Sequence, residues 1–281
     1  MEKCFGIIGG DQRQAELARL LEEDGAKVRT YGLREWGAPG AESLECVVMS
    51  DVILLPLPLC EGGTLNCREA SIETRDLFRY LNPEQRILAG CIDKQRQLEA
   101  ARCGLELEDY YQREELIVAN AATTAEAAIQ IAMEQLDETL LGKECLVLGF
   151  GRIGKLLGHR LAGMGARVTA TARKAEDIAW IRAYGYRAED TSNLDGKLGE
   201  FGVVFNTIPA LVLDATLVAQ LKPGCLCVDL ASRPGIDLMA AERLGLPKLW
   251  AKSLPGRIFP RTAARSIRDV IYHMLSEGDL D

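Results

Sequence analysis

The sequence contains only two histidines among its 281 residues. His159 falls in a segment with helical spacing, and His273 lies in the last amphipathic segment, so neither is where a catalytic imidazole is expected. This scarcity disfavours a Ser-His-Asp hydrolase and a histidine-dependent dehydrogenase. Any proton transfer is therefore expected to use a carboxylate, a lysine, a tyrosine or water.

The chain also lacks an excess of positive charge, with a formal net charge of -8 at pH 7. It therefore has no general attraction to nucleic acid or to an anionic membrane. No uninterrupted apolar run reaches the roughly 18 residues of a membrane span, and the opening MEKCFGIIGG shows no signal-peptide pattern. We expect a cytoplasmic protein whose basic residues act locally on a small anion.

The nine cysteines are an odd number and include no C-x-x-C pair. Neither a disulfide framework nor a zinc ribbon is indicated. Cys225 and Cys227 would share one face of a strand, which suits core packing, and we predict no metal site.

Apolar runs alternate with helical spacing along the chain, which is typical of parallel strands covered by helices. We predict two α/β domains: a flavodoxin-like substrate domain at residues 1–121 and a Rossmann-type, doubly wound parallel sheet at 143–255. The apolar segment 116–121, LIVANA, is assigned to the last strand of the first domain. A helix at 122–142 is predicted to connect the domains. Residues 256–281 are predicted to form a loop and a helix that returns to the first domain.

The segment LVLGFGRIGK places Gly149, Gly151 and Gly154 directly after an apolar strand and at the start of a helix. Gly149 permits a tight turn, Gly151 lets the backbone approach a pyrophosphate, and Gly154 lets the helix lie close to the strand. This pattern predicts dinucleotide binding. Arg152 and Ile153 begin the helix, where Arg152 either contacts a phosphate or points to water.

The second strand of such a fold usually ends, about 20 residues beyond the glycines, in an acid that binds the adenine ribose. Here it ends Ala172-Arg173-Lys174. A guanidinium and an ammonium at this place suit a 2′-phosphate, so NADP is favoured over NAD. The alternative is that both are solvated charges at a helix start, where cations are mildly unfavourable.

Two later strands end at the same sheet edge, where ligands bind in open α/β folds. They place Asn206, Thr207 and Pro209 after one strand, and Asp229, Ala231 and Ser232 after the next. These residues are expected to border the nicotinamide half of the cofactor, unless they serve only as turn residues.

Six ordered segments extend this interpretation. The chain resembles the A-subunit family of dipicolinate synthase from spore-forming bacteria, and the resemblance covers nearly its whole length. It rests on GGDQRQ (9–14), TAEAAI (124–129), LGFGRIGK (148–155), FNTIPA (205–210), DLASRPG (229–235) and LPGRIFPRTA (254–263).

The resemblance implies oxidation of dihydrodipicolinate to dipicolinate with NADP, in concert with a flavoprotein-like B subunit. It also implies an architecture like that of alanine, shikimate and methylenetetrahydrofolate dehydrogenases, with a cleft between two domains. Three positions depart from the family pattern: Thr123 stands where the family tends to have Pro, Ala127 where it tends to have Gly, and Arg257 where it tends to have Lys.

A substrate with two carboxylates needs hydrogen-bond donors or cationic groups at two separate places in the site. Arg13 in GGDQRQ, Arg257 and Arg261 are candidates because guanidinium groups recognise carboxylates in a bidentate manner. Thr124 and Thr262 are further candidates. Each arginine could also be an ordinary surface residue, and Thr262 could be the N-cap of the last helix.

Formation of the aromatic ring releases a hydride and a proton, and Glu126 and Asp11 are the candidate bases. Both have structural alternatives, because Thr123 and Glu126 could form a capping box and Asp11 could cap the first helix. Two other functions remain open: an NADP-dependent reductase of another small carboxylic acid, and a dinucleotide-binding regulatory subunit without turnover of its own. A homo-oligomer is also compatible with the sequence.

Overall fold

A computed structural model of the protein describes residues 3–278. The chain divides into two compact units. One unit comprises the residues up to Asn120 together with those from Pro255 onwards, and the other comprises Ala121–Leu254.

Thirteen strands lie within the described residues. In the first unit they are β1 (Cys4–Ile8), β2 (Lys27–Tyr31), β3 (Val52–Leu54), β4 (Cys60–Glu61), β5 (Thr64–Leu65), β6 (Arg86–Ala89) and β7 (Leu107–Asp109). In the second unit they are β8 (Glu144–Leu148), β9 (Arg167–Ala172), β10 (Arg187–Asp190), β11 (Val203–Asn206), β12 (Leu226–Asp229) and β13 (Lys248–Trp250).

The helices alternate with these strands. In chain order they are α1 (Gln12–Glu23), α2 (Leu44–Val47), α3 (Thr74–Leu77), α4 (Lys94–Arg102), α5 (Glu114–Met133), α6 (Arg152–Gly163), α7 (Ala175–Ala183), α8 (Ala215–Val218), α9 (Leu238–Arg243), α10 (Leu254–Ile258) and α11 (Pro260–Gly278). Single 3₁₀ turns occur at Arg34–Trp36, Phe78–Tyr80 and Tyr110–Gln112.

The main sheet of the first unit is parallel, in the order β2-β1-β3-β6-β7, and β4 and β5 form a separate antiparallel hairpin. Counting only the strands of the main sheet, the order is 2-1-3-4-5, which is the flavodoxin-like order. The predicted α/β class of this part of the chain is therefore confirmed.

The C-terminal helix α11 packs on α1 within the first unit. Leu17 and Leu21 of α1 share a buried apolar cluster with Ile267 and Ile271 of α11. Burying side chains of this size stabilises a fold by about 1.5–3 kcal/mol each. The predicted return of the last helix to the first domain is confirmed.

The sheet of the second unit is parallel throughout, in the order β10-β9-β8-β11-β12-β13. Counted from β8, this is the order 3-2-1-4-5-6 of the Rossmann fold, and the direction of winding changes between β8 and β11. The central strands β8, β11 and β12 are almost entirely buried, as expected for a parallel sheet covered on both faces. The predicted Rossmann-type sheet is confirmed.

The assignment of segment 116–121 to a strand is wrong, because α5 begins at Glu114 and runs through it to Met133. A short apolar run cannot be assigned to a buried strand or a buried helix by periodicity alone. Two glutamates in the first turn and an alanine-rich continuation favour the helix. The helix also ends at Met133 rather than near Gly142.

Two predicted helix caps are absent, because each helix begins before the residue that was expected to cap it. Thr123 and Glu126 lie inside α5, so they cannot form a capping box at its start. Thr262 lies inside α11, which begins at Pro260. Proline suits the first turn of a helix because its fixed φ is already helical and it has no N–H to leave unpaired.

Within residues 3–278, only α5 is long and apolar enough to cross a membrane by length and composition. Half of its most apolar stretch is buried inside the protein, and core helices of globular proteins meet the same criterion.

Candidate functional site

The three glycines of the turn between β8 and α6 have different surroundings. Gly149 has φ +93°, and a Cβ atom there would lie 2.6 Å from Oγ1 of Thr207. A Cβ atom on Gly154 would lie 2.1 Å from the carbonyl oxygen of Gly149, so this glycine allows close helix–strand packing. A Cβ atom on Gly151 would have no atom within 4 Å. The open space is therefore at Gly151, where a pyrophosphate is expected.

Helix α6 begins at this open side of the turn. Gly151 is its N-cap and provides no side-chain cap, and the N–H of Lys155 makes the first helical hydrogen bond, to the Gly151 carbonyl at 2.9 Å. Arg152 and Ile153 form the first turn, with Arg152 exposed. The N-terminus of a helix carries partial positive charge and N–H groups that point outward, which suits an anion.

Strand β9 ends at Ala172 beside a cavity of about 460 Å³. Arg173 lines this cavity and forms no ion pair with any of residues 3–278. The side chain of Lys174 is exposed and lies 3.4 Å from Oε1 of Glu176. The remaining cavity residues follow β10 and β11: Thr191, Ser192, Asn193, Leu194, Asp195, Ile208, Ala210, Leu211, Val212 and Leu217.

Asp195 lines the cavity with Arg173, and Asp190 is the register partner of Ala172 on the neighbouring strand. Both carboxylates have other partners. Oδ1 of Asp195 accepts a hydrogen bond from Nε2 of Gln220 at 2.6 Å. The hydroxyl and the N–H of Ser192 donate to Asp190 and hold the pKa of that carboxyl below its usual range. Neither acid forms an ion pair with Arg173.

The ends of β11 and β12 are joined by a buried pair. Asn206 and Asp229 are register partners, and both side chains are completely buried. Nδ2 of Asn206 donates to both carboxylate oxygens of Asp229, at 3.0 and 3.1 Å, and to the Ile208 carbonyl at 2.9 Å. These bonds use both amide protons, so the Asn206 side chain has no donor left for a ligand.

The other residues predicted at this edge differ in exposure. Thr207 is half-buried and donates its hydroxyl to the Leu148 carbonyl at 2.8 Å, whereas Pro209 is exposed. Ala231 is buried, and its carbonyl accepts the indole N–H of Trp250 at 2.9 Å.

In the first unit, Asp11 and Arg13 form an ion pair at the start of α1. Asp11 caps the helix by accepting the N–H of Arg13 at 2.9 Å, and its Oδ2 lies 2.8 Å from Nη2 of Arg13. Nη2 also donates to the Leu57 carbonyl. Burial alone would lower the pKa of the Arg13 guanidinium, but the hydrogen bond and charge of Asp11 outweigh it and raise that pKa.

Arg13 is buried, and Gly256 lies against it. A Cβ atom on Gly256 would lie 2.8 Å from Nε of Arg13. Nε and Nη2 are used by the bonds to Asp11 and Leu57, whereas Nη1 has no hydrogen-bond acceptor among residues 3–278. One nitrogen of this guanidinium is thus left for another acceptor.

The two arginines that follow differ from each other. Arg257 is exposed and forms no ion pair with any described residue. Arg261 lies 2.9 Å from Glu23 and 3.4 Å from Glu16, both on α1, so it links α11 to α1. Thr262 is exposed in the first turn of α11.

In the second unit, Glu126 lies on the exposed side of α5, 2.9 Å from Nη2 of Arg160 on α6. Thr124 is buried in the same helix. No group of three or more His, Cys, Asp or Glu residues in the described part of the chain is arranged to hold a metal ion.

Two family models match the chain. The N-terminal domain of the dipicolinate synthase A subunit matches residues 4–111, and the NAD binding domain of D-isomer specific 2-hydroxyacid dehydrogenases matches residues 97–236. The A subunit of dipicolinate synthase from Bacillus subtilis (strain 168) is 29% identical over 97% of this chain and 96% of its own. The crystal structure of the Bacillus halodurans A subunit is 30% identical, with a TM-score of 0.84 over 98% of both chains. The chain belongs to the A-subunit family of dipicolinate synthase.

An L-alanine dehydrogenase structure, 15% identical, matches the chain with a TM-score of 0.63 over 96% of this chain and 88% of its own, so the two share a fold. The second unit is a dehydrogenase-type domain for a nicotinamide dinucleotide, and the protein is a dehydrogenase-type oxidoreductase.

Two of the departures from the family pattern, Ala127 and Arg257, occupy different environments. Ala127 is completely buried inside α5, where its methyl group is part of the helix packing. Arg257 is exposed, so a guanidinium at this position is free to adopt bidentate geometry.

Sequence reasoning missed several residues that shape the dinucleotide site. Thr171, one residue before the end of β9, bonds the glycine turn through its hydroxyl. Phe150, inside the glycine turn, packs edge-on against Tyr184 and Tyr186. A polar residue at a strand end was the available signal for Thr171, but nothing in the sequence pairs Phe150 with residues after α7.

Proposed function

We propose that this member of the family oxidises dihydrodipicolinate to dipicolinate with NADP as the hydride acceptor. Membership of the family supports the reaction, and the dehydrogenase-type domain supports the redox class. The observation that carries the choice of cofactor is Arg173, which lines the cavity beside β9 and has no ion-pair partner in the described chain.

The preference for NADP follows from the charges at this cavity. An adenine ribose with a free 2′-hydroxyl is usually bound by an acid at the end of the second strand, and that position is held by Ala172 and Arg173. An arginine can make two hydrogen bonds to a phosphate and can stack on a planar base. Asp190 and Asp195 lie nearby, but Ser192 and Gln220 already donate to them.

Binding of a dicarboxylate is supported in the first unit by cationic groups with unused donors. Arg257 is exposed without an ion pair in the described chain, and Arg13 keeps Nη1 for another acceptor. We assign Arg257 the stronger role in substrate binding, with Arg13 contributing one bond. Arg261 and Thr262 are weaker candidates, because Arg261 is held by acids on α1.

Aromatisation of the substrate ring requires a hydride to leave to the nicotinamide and a proton to leave to a base or to solvent. Asp11 is the better candidate base, because its side chain is about one-third exposed at the end of β1. Glu126 is held by Arg160, and its ion pair favours a structural role. The product gains aromatic stabilisation in this direction, so a weak base or water is sufficient.

A flavoprotein-like B subunit is proposed to be the partner in this reaction. One observation also supports the second candidate, a dinucleotide-binding regulatory subunit: both candidate bases are held in ion pairs, Asp11 with Arg13 and Glu126 with Arg160. A chain without a free base would depend on its partner for turnover.

An assay of dihydrodipicolinate oxidation tests the proposal, with this chain alone, the B subunit by itself and the two mixed, each with NADP or NAD. Joint formation of dipicolinate and NADPH, in a reaction that requires this chain, is expected. Oxidation of a different small acid but not of dihydrodipicolinate would contradict the substrate. Binding of NADPH without turnover in any mixture would favour the regulatory subunit.

A further inference from the structure

Asp229, the last residue of β12, is a completely buried carboxylate. Its Oδ1 accepts the N–H of Ala231 at 3.1 Å, and its Oδ2 accepts the N–H groups of Gly235 at 2.7 Å and Ile236 at 3.0 Å. The segment 231–236 is therefore folded around this carboxylate. A buried charge is tolerated only when donors replace the lost water, and here three backbone groups and one amide do so.

Asn206 extends the arrangement to the loop after β11. While its Nδ2 donates to Asp229 and to the Ile208 carbonyl, its Oδ1 accepts the N–H of Ile208 at 3.1 Å. Segment 207–210 is thereby fixed to the same pair of side chains.

Gly235 brings the two segments into direct contact. A Cβ atom on Gly235 would lie 2.4 Å from Nδ2 of Asn206 and 2.7 Å from the carbonyl oxygens of Ile208 and Ala210. The Gly235 carbonyl accepts the N–H groups of Val212 and Leu213 at 2.7 and 2.9 Å. The segments after β11 and β12 consequently form one body, built on Asn206 and Asp229.

This body borders the dinucleotide site. Ile208 lines the cavity beside Arg173, and a Cβ atom on Gly149 would lie 2.8 Å from Cγ1 of Ile208. The half of a Rossmann sheet that contains β11 and β12 faces the second nucleotide of the cofactor, which carries the nicotinamide.

We propose that Asp229 and Asn206 are positioning residues, which hold segments 207–210 and 231–236 against the nicotinamide half of the cofactor. The inference rests on the use of a nicotinamide dinucleotide and not on the identity of the substrate. Burying a carboxylate costs free energy that its hydrogen bonds must offset, so stability alone does not account for a fully hydrogen-bonded carboxylate at this edge. The need to hold these two segments in a fixed geometry does account for it.

The test is Asp229→Asn, which keeps the size of the side chain but turns one acceptor into a donor facing backbone N–H groups. NADPH and NADH are titrated against variant and parent, together with ADP-ribose and its 2′-phosphate, which lack the nicotinamide. We expect affinity for the preferred reduced cofactor to fall roughly tenfold or more. Affinity for the matching fragment should fall several times less, because the fragment meets only the part of the segment, Ile208 and Ala210, that lines the cavity beside Arg173. The fluorescence of the bound nicotinamide should also change.

Asp237→Ala is the matched control. Asp237 follows the same segment, but its carboxylate caps α9 by accepting the N–H of Ala240 at 2.9 Å. This variant should lower the melting temperature. Any loss of affinity that it causes should be the same for the whole cofactor and for the fragment without the nicotinamide. If Asp229→Asn does not fold, Trp250→Phe is used instead. It removes the indole hydrogen bond to the Ala231 carbonyl, keeps an aromatic ring under the ammonium of Lys252, and should weaken binding of the reduced cofactor in the same selective way.

Equal losses of cofactor and fragment affinity, or losses no more selective than those of Asp237→Ala, would overturn the positioning role and leave the cofactor assignment intact. A parent chain that bound neither NADPH nor NADH would instead overturn the dinucleotide site and this inference together.

Discussion

The N–H of Gly149 donates to the hydroxyl oxygen of Thr171 at 3.3 Å, which ties the glycine turn to the end of β9. The Thr171 hydroxyl also pairs with that of Thr191 after β10, at 2.9 Å. Three strand ends are thus linked through one buried side chain. Because Arg173 lies two residues beyond Thr171, its position is coupled to that of the turn expected to bind the pyrophosphate.

Substituting Arg173→Ala should weaken NADP binding and leave NAD binding nearly unchanged. A hydrogen bond to a charged group contributes about 1.5–3 kcal/mol, which corresponds to roughly 10- to 150-fold in affinity. Exposure and salt favour the lower end of this range. Titration of both cofactors at two salt concentrations measures the effect.

Lys174→Ala is the control for this experiment, because Lys174 is already paired with Glu176 and should have the smaller effect. An unchanged ratio of NADP to NAD affinity in Arg173→Ala would show that the cofactor is selected elsewhere.

Gly151→Ala should mainly weaken dinucleotide binding, whereas Gly154→Ala should mainly lower the stability of the fold. A methyl group at Gly151 enters open space, so the chain should fold but lose dinucleotide affinity by roughly tenfold or more, about 1.4 kcal/mol. A methyl group at Gly154 meets the Gly149 carbonyl oxygen and should destabilise the unit by about 1–3 kcal/mol. Denaturation and cofactor titration of both variants provide the comparison. An unchanged dinucleotide affinity in Gly151→Ala would show that the pyrophosphate does not bind beside Gly151.

Arg257→Ala should weaken dipicolinate binding without changing the melting temperature, because Arg257 is exposed and has no ion pair in the described chain. Arg261→Ala is the matched control. It breaks the pairs with Glu16 and Glu23 and should lower the melting temperature slightly while sparing the ligand, because exposed ion pairs stabilise a fold only weakly. Calorimetric titration with dipicolinate decides between them. The reverse pattern would reassign the carboxylate-binding role to Arg261.

Stability should fall with rising pH through the thiol of Cys145. Burial raises the pKa of this thiol to about 12 in the folded protein, from an ordinary value near 9.0. The folded state therefore keeps its proton where the unfolded state releases it, so this contribution is complete below pH 9 and is lost as pH rises toward 12. Urea denaturation from pH 8 to 10.5 should show a shallower decline for Cys145→Ala than for the parent. Parallel curves would contradict the assignment.

The features that the sequence predicted well are those specified by nearby residues. The glycine turn, the strand before it and the helix after it lie within one short segment, so their spacing alone defines the fold of the turn. The presence of Arg173 in place of the usual acid was also predictable, because this position lies at a known distance after the glycine turn. The first turns of helix α5 were missed because LIVANA is apolar apart from Asn120, and such a short run fits a buried strand equally well.

The orientation of side chains was harder to predict. Asn206 was expected to face the cofactor because it ends a strand, but Asp229, which is distant in sequence, turns it inward. Asp11 and Arg13 were considered separately, yet the helix start places them in one ion pair. Sequence spacing gives the element on which a residue lies, whereas competing donors and acceptors decide where its side chain points.

The order in which the units are synthesised follows from the position of α11. The dinucleotide-binding unit lies between two parts of the first unit along the chain, and α11, which covers Leu17 and Leu21, is translated after that unit. All of Ala121–Leu254 is therefore synthesised before the apolar face of α1 can pack against α11. During synthesis the Rossmann unit can fold before the first unit is complete, because the first sheet is made earlier but α1 lacks its partner until α11 has been translated.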